Sequence, residues 1–316
     1  MEFYRLRSFV VVAEELHVGR AADRLRLAQP TLSRQIAALE GDLGVLLFSR
    51  DRRRLRLTSA GQVFLEHARD LLQRADGAAV AAKRAAAGEL GELRLAFVQS
   101  ATYEALPELL GRFRQSCPEV RLKLSPLTTL RQLPALLGGG LDVGLLRPRQ
   151  PRAGLPDLRT HVISHDPWTV ALPAGHRLAR LRRVRVADLA TEDFVLYASE
   201  AGSTGHDQIL DGCRAAGFEP RIIQETADAQ TTVAMVAAGL GVSLLLRPAP
   251  PMDPGLVAYR PLRDPWPGWD LAIAWSPDNP SATLRRFLEL AGVRPASRTP
   301  GKAGIPTAPA GGPVAG

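Results

Sequence analysis

The sequence predicts an all-α winged helix-turn-helix at the amino end, followed by a two-lobed α/β region. Three observations carry this. Apolar residues recur at helical spacing from Phe3 to Leu43 with two short breaks. An arginine-rich hairpin follows, and beyond Gly91 short apolar runs alternate with helical patterns.

Phe3, Leu6, Phe9, Val10, Ala13 and Leu16 mark a first, supporting helix with Glu14 and Glu15 outside. Gly19 to Leu25 is a shorter helix whose Ala21, Ala22 and Leu25 permit close crossing by a neighbour. Leu27-Ala28-Gln29-Pro30 ends it. Proline in the first turn of the next helix costs nothing, because its missing N–H would be unpaired there. In that helix Leu32, Ile36, Leu39 and Leu43 form one apolar stripe. Pro30, Arg34 and Ala37 lie opposite, flanked by Thr31 and Ser33, so the outward face is short and carries a few donors. A major groove admits such a face. Leu47-Phe48 and Leu55-Arg56-Leu57 then bracket a wing in which residues 50–56 hold five arginines and one aspartate, suited to phosphates or a narrow minor groove. Either feature alone reads as an ordinary solvated element; together and in this order they point to DNA.

Thr58 and Ser59 offer caps to a long helix. Phe64, Ala68, Leu71, Ala75, Ala78, Ala82 and Ala86 approach a heptad seam, which predicts a dimerising helix. Gly88 and Gly91 end it as a hinge. The expected boundaries are 1–58 for the winged domain, 59–89 for the linker helix and hinge, and 90–293 for the two lobes. Lobe I takes about 90–162 and 267–293, and lobe II about 163–266.

Within the lobes, strands are expected at Leu93–Phe97, Val120–Leu124, Val143–Leu146, Trp168–Pro173, Phe194–Leu196, Arg221–Gln224, Val242–Leu246, Leu256–Tyr259 and Leu271–Trp275. Helices are expected at Leu106–Gln115, Leu130–Leu137, Gln208–Ala216, Ala229–Ala238 and Ser281–Ala291. This alternation predicts parallel sheet with right-handed crossovers. Residues 294–316, rich in Pro, Gly and Ala without an apolar period, are expected to be a disordered tail.

The stretch from Ala21 to Gly61, through Gln29, Pro30, Ser33, Gln35, Glu40, Gly44, Arg50, Thr58 and Ala60, resembles the amino-terminal signature of LysR-type transcriptional regulators. Phe97-Val98-Gln99-Ser100-Ala101, Leu141 to Arg147 and Val236 to Val242 resemble that family's effector-domain motifs more loosely, closest to the branch responding to aromatic-degradation intermediates and organic acids. Gln99 departs from the small residue frequent there, and Leu245-Leu246-Arg247-Pro248 replaces the usual approach to a proline. The resemblance implies a bacterial regulator with a periplasmic-binding-protein-like effector domain, a homodimer pairing into a homotetramer, promoter DNA with inverted half-sites, and RNA polymerase as a further partner.

The candidate base-edge contacts are Gln29, Pro30, Thr31, Ser33 and Arg34, and the candidate phosphate or minor-groove contacts are Arg52, Arg53 and Arg54. In the lobes, ligands collect where strand ends meet helix starts, because free N–H groups point there. Ser100, Thr102, Thr128, Thr129, Arg147, Ser203 and Thr204 occupy such places. Hydroxyls with one arginine fork suit a small carboxylate. For each hydroxyl taken singly, plain helix capping is the competing reading, and Arg147 could equally pair with an acid at the hinge.

Composition limits the alternatives. The 316 residues suggest about two domains, and 46% hydrophobic content is ample for their cores. Net charge is +8, and residues 1–90 hold 15 basic against 11 acidic side chains, an excess that the wing alone equals. No run approaches ~20 apolar residues and the first five open no secretory signal, so the expectation is a cytoplasmic protein with no membrane partner. Cys117 and Cys213 offer a redox-responsive alternative, centred on Cys213, against the plainer reading of isolated thiols. His161 and His165 lack spaced partners, so no metal is expected, nor any cofactor. Without a nucleophile elbow, a phosphate loop or a dinucleotide fingerprint, no catalytic residue is assigned and an enzyme is not expected. A two-lobed solute-binding protein would need export, and an architectural DNA binder would not need the lobes.

Overall fold

The computed structural model describes residues 2–51, 54–148, 157–198 and 204–293. It falls into two compact units that divide between Ala87 and Gly88.

In the first unit, α1 (Phe3–Glu15), α2 (Val18–Leu25) and α3 (Gln29–Leu43) precede the hairpin of β1 (Phe48–Asp51) and β2 (Arg54–Leu57) and the long α4 (Ser59–Ala86). The His17 side chain caps α2 by accepting from the Arg20 amide. Arg26, left-handed at φ 55°, ends α2, and two residues, Leu27 and Ala28, separate it from α3. Pro30 sits in the first turn of α3, as expected. Leu6, Phe9, Val12, Ala21, Leu32, Leu39 and Leu47 form the core. Phe9 stacks edgewise on Phe64 at 5.1 Å and leans on Phe48 at 5.4 Å.

That packing corrects the heptad reading of α4. Phe64 and Ala68, its first two positions, are spent inside the unit's own core, Ala68 being fully buried. Leu71, Ala78, Ala82 and Ala86 are exposed, together with Val63 and Val80 off the proposed seam. A helix that covers its own domain at one end cannot present one continuous stripe along its length.

The second unit runs β3 (Gly91–Phe97), α5 (Ala105–Ser116), β4 (Val120–Pro126), α6 (Thr129–Leu137), β5 (Val143–Leu146) and β6 (Arg159–Asp166). It then crosses into β7 (Trp168–Pro173), β8 (Asp193–Tyr197), α7 (Thr204–Ala215), β9 (Arg221–Thr226), α8 (Ala229–Ala237), β10 (Ser243–Leu246) and β11 (Val257–Pro261). It returns through β12 (Trp269–Trp275) to α9 (Ala282–Leu290). Gly88 (φ +76°) is fixed by close approach: a Cβ there would stand 2.4 Å from the Ala282 carbonyl oxygen.

The sheets are mixed, not wholly parallel as the alternation suggested. The first lobe has strand order β4-β3-β5-β12-β6, with β3 parallel to β4 and β5 but β12 antiparallel to β5 and β6. β12 enters from the far lobe and so runs the other way. The second lobe has an antiparallel β10-β7-β11 sheet and a parallel β8-β9 pair. β6, unforeseen in the sequence, keeps residues 159–166 with the first lobe, so the first crossing follows Asp166. α7 begins at Thr204, four residues ahead of expectation. Each lobe has its own core, one around Leu95, Phe113, Leu145 and Phe287, the other around Val170, Phe194, Leu196 and Leu244.

Candidate functional sites

The first candidate site is the outward face of α3. Burying Leu32 and Leu39 completely forces the opposite side outward, and Gln29, Pro30, Ser33, Arg34 and Ala37 are exposed. Thr31 is half-buried. Among the described residues Arg34 makes one long side-chain hydrogen bond, 3.4 Å from its Nε to the Pro30 carbonyl oxygen. The inner side is braced where the Ser8 hydroxyl donates to Gln35 Oε1 at 2.5 Å.

Glu40 fixes the hairpin to this helix. One carboxylate oxygen accepts from the amides of Leu47 (2.8 Å) and Phe48 (3.0 Å), where the wing begins. Thr58 closes it by donating to the Leu46 carbonyl and accepting from the Gly61 amide. Gly61 must be glycine, because a Cβ there would lie 2.1 Å from the Leu47 carbonyl oxygen. Arg52 and Arg53 lie outside the described residues, and of Arg54 only the backbone is described, paired with Asp51.

The second candidate is a cavity of about 290 Å³ between the lobes of the second unit. Ser100, Thr128, Thr129 and Arg147 line it, four of the seven residues singled out. Thr102 is not among them: a 3-10 turn over Gln99–Tyr103 turns its hydroxyl back to donate to the Gln99 carbonyl. Ser203 lies outside the described residues, and of Thr204 only the backbone is described, at the start of α7.

Arg147 reaches the cavity already engaged. It is 3% exposed, and donates to Ser100 Oγ (2.9 Å), the Trp269 carbonyl (2.9 Å) and Asp166 Oδ2 (2.5 Å). The Trp269 indole lies beside the guanidinium, 5.8 Å from ring centre to Cζ, and donates to the Pro148 carbonyl. Burial lowers the guanidinium pKa while Asp166 raises it; arginine's ordinary value is so high that the charge stays. The fork expected to grip a carboxylate instead ties together the two strands on which the chain crosses between lobes. Thr129 Oγ1 is engaged with the Arg147 backbone, and the Thr128 side chain makes no capping bond on α6.

An aromatic wall that no sequence motif marks completes the cavity. Tyr103, Trp168, Tyr197 and Trp269 line the same cavity, and Asp228 lies there as the amino-terminal cap of α8. Burial, then the neighbouring Tyr103, pushes the Tyr197 hydroxyl well above the ordinary tyrosine range.

Both cysteines are free and buried. Burial pushes the Cys213 thiol up to about 12, with Glu219 adding to the shift. A thiol held protonated is a poor nucleophile, which counts against Cys213 as a redox sensor. Among the described residues no His, Cys, Asp and Glu group is arranged to hold a metal. No described helix is long and apolar enough to cross a membrane.

Two family models match the chain. The model described as bacterial regulatory helix-turn-helix protein, lysR family, covers residues 3–62, and the LysR substrate binding domain covers residues 86–293. The HTH-type transcriptional regulator AlsR of Bacillus subtilis (strain 168) is 35% identical, over 92% of this chain and 95% of its own. The uncharacterized HTH-type transcriptional regulator YnfL of Escherichia coli (strain K12) is 43% identical over 78% of this chain and 82% of its own. Among solved structures, CbnR, a LysR family transcriptional regulator, superposes with a TM-score of 0.82 at 30% identity, over 92% of this chain and all of that one. Full-length CbnR complexed with its target DNA superposes at 0.79 and 31% identity, over 92% of this chain and 99% of that one. The chain therefore belongs to the LysR family: it is a DNA-binding transcriptional regulator, not an enzyme, with an effector-binding domain behind its helix-turn-helix.

Proposed function

We propose that this regulator reads promoter DNA through Gln29, Pro30, Thr31, Ser33 and Arg34, grips phosphates or minor groove with Arg52, Arg53 and Arg54, and is modulated by a small organic effector held between the lobes. The exposed, short-chained start of α3 opposite the buried Leu32 and Leu39 is the observation that carries the DNA reading. The complex of CbnR with its target DNA supports carrying that role to this chain.

The exposed apolar residues of α4 support a homodimer, which would place two copies of α3 on inverted half-sites. Pairing of dimers into a tetramer and contact with RNA polymerase belong to the same reading. An effector acts by binding one arrangement of lobes more tightly than another, and so shifts how the assembly meets DNA. The organic-acid or aromatic-carboxylate expectation keeps the Thr128 hydroxyl and the amino end of α6 as donors, but Arg147 is drawn off by Asp166.

The test is footprinting of the full-length protein on the region upstream of its own gene, against random duplex at moderate ionic strength. A protected, two-fold symmetric site is expected. Equal affinity for every fragment would overturn the reading.

A further inference from the structure

We propose that the cavity between the lobes selects an uncharged, ring-bearing ligand that presents a hydrogen-bond acceptor, in preference to a free carboxylate; this rests on reading that cavity as the effector site. The walls supply the first half. Tyr103, Trp168, Tyr197 and Trp269 surround it with aromatic surface, joined by Leu127 and Pro248. Flat apolar surface on several sides favours a ring, which stacks or meets edges at little entropic cost.

The polar groups supply the second half. The Tyr103 hydroxyl and the Trp168 indole nitrogen are buried and have no hydrogen-bond partner among the described residues. Both residues line the cavity. A buried donor without an acceptor is costly to leave so; neither atom is open to the cavity as it stands, and a ligand oxygen recovers that loss by drawing the tip of Tyr103 or Trp168 into the space its own residue lines. Burial, and after it the charge of Asp228, raises the Tyr103 pKa, so its hydroxyl stays a donor.

Charge then discriminates between acceptors. The described lining holds two ionic side chains, Arg147 and Asp228. Arg147 is cancelled by Asp166, and three of its donors are directed to protein acceptors. Asp228 accepts from the Thr231 amide and hydroxyl, but its negative charge remains. Among the described residues a carboxylate entering here meets no uncommitted cation and one fixed anion, whereas an amide, ketone or phenol oxygen adds no charge for Asp228 to repel. The amino end of α6 donates to either kind of acceptor and its dipole draws an anion, a pull that the fixed charge of Asp228 on the same cavity opposes.

Benzamide and benzoate share a ring and differ in charge, which makes them suitable probes for the full-length protein, with tryptophan emission as the readout. Benzamide should bind at least about tenfold more tightly than benzoate. Tyr103→Phe should weaken benzamide roughly three- to tenfold without lowering the melting temperature, since the lost hydroxyl has no partner to strand. Asp228→Asn, which keeps a capping oxygen for α8, should narrow the gap by favouring benzoate. Benzoate binding as tightly as benzamide, with both weakened by Tyr103→Phe, would overturn the ligand class and leave the cavity as the effector site. No response to either probe from folded protein would overturn the cavity reading as well.

Discussion

Arg147, at the end of β5, and Asp166, at the end of β6, form an ion pair whose side chains are 4% and 8% exposed. Such a pair holds its place by mutual neutralisation, not by net attraction, because desolvating both charges consumes most of the Coulomb gain. Removing one partner therefore does more harm than removing both. Asp166→Ala should destabilise the chain by about 3–5 kcal/mol in urea unfolding, and the double change Arg147→Met with Asp166→Leu should recover most of that. An unfolding midpoint for Asp166→Ala equal to that of the unaltered protein would show that the pair does not hold the crossing.

Glu40 controls the wing from α3 through the Leu47 and Phe48 amides. Glu40→Ala strands both and should cost about 1–3 kcal/mol of stability. DNA affinity should fall alike on specific and random duplex, because the wing's aim is lost and not a base contact. Glu40→Gln keeps an oxygen and should lie close to the original protein in both melting and gel-shift measurements.

Arg34 and Arg53 should fail in different ways. Replacing Arg34 by Ala should relax sequence preference by about 1–3 kcal/mol, as for a lost base contact. Arg53→Ala should weaken all duplexes and lower the slope of log affinity against log salt by about one. Salt titrations of both variants on one promoter fragment and one random fragment distinguish these outcomes, and an unchanged slope for Arg53→Ala would remove the wing from the interface.

Asp142 gives the fold an acid limit. Burial raises its pKa, but hydrogen bonds from the Arg94 side chain and amide and from Asn279 outweigh this and hold it below the ordinary value. A carboxyl depressed on folding contributes stability that is fully present above its unfolded value of about 3.9 and is lost as pH falls through the folded value. Unfolding midpoints should therefore drop below about pH 4. Asp142→Asn should be less stable near neutrality and should flatten that acid limb.

Cys213 should resist thiol reagents. Fully buried, with its thiol pushed up to about 12, it should label in the native chain only on the timescale of opening and label promptly once denatured. Rapid native labelling at Cys213 would reinstate the redox reading.

The helix α3 was legible because one residue pattern, Leu32, Ile36, Leu39 and Leu43 with Pro30 ahead, fixes start, face and end together. The wing was legible from its two apolar runs. β6 was not, since Arg159 to Val162 is exposed and the strand carries no apolar alternation; it forms because β12 offers it an edge. The cavity was half legible. Ser100, Thr128 and Thr129 follow from strand-to-helix turns, but Tyr103, Trp168, Tyr197 and Trp269 come from separate elements and signal nothing singly. Asp166 as the partner of Arg147 could not be read, since a pairing 19 residues apart depends on how β5 and β6 flank β12.

The interior position of β12 has a consequence for biosynthesis. The first lobe's sheet places a strand begun at Trp269 between β5 and β6, so a nascent chain emerging from the ribosome has almost all its remaining sequence in hand before that sheet can close. Until then β5 and β6 each present a bare edge. A message truncated shortly before Trp269 would release a product whose second lobe is nearly whole and whose first is a ready substrate for chaperones or proteases.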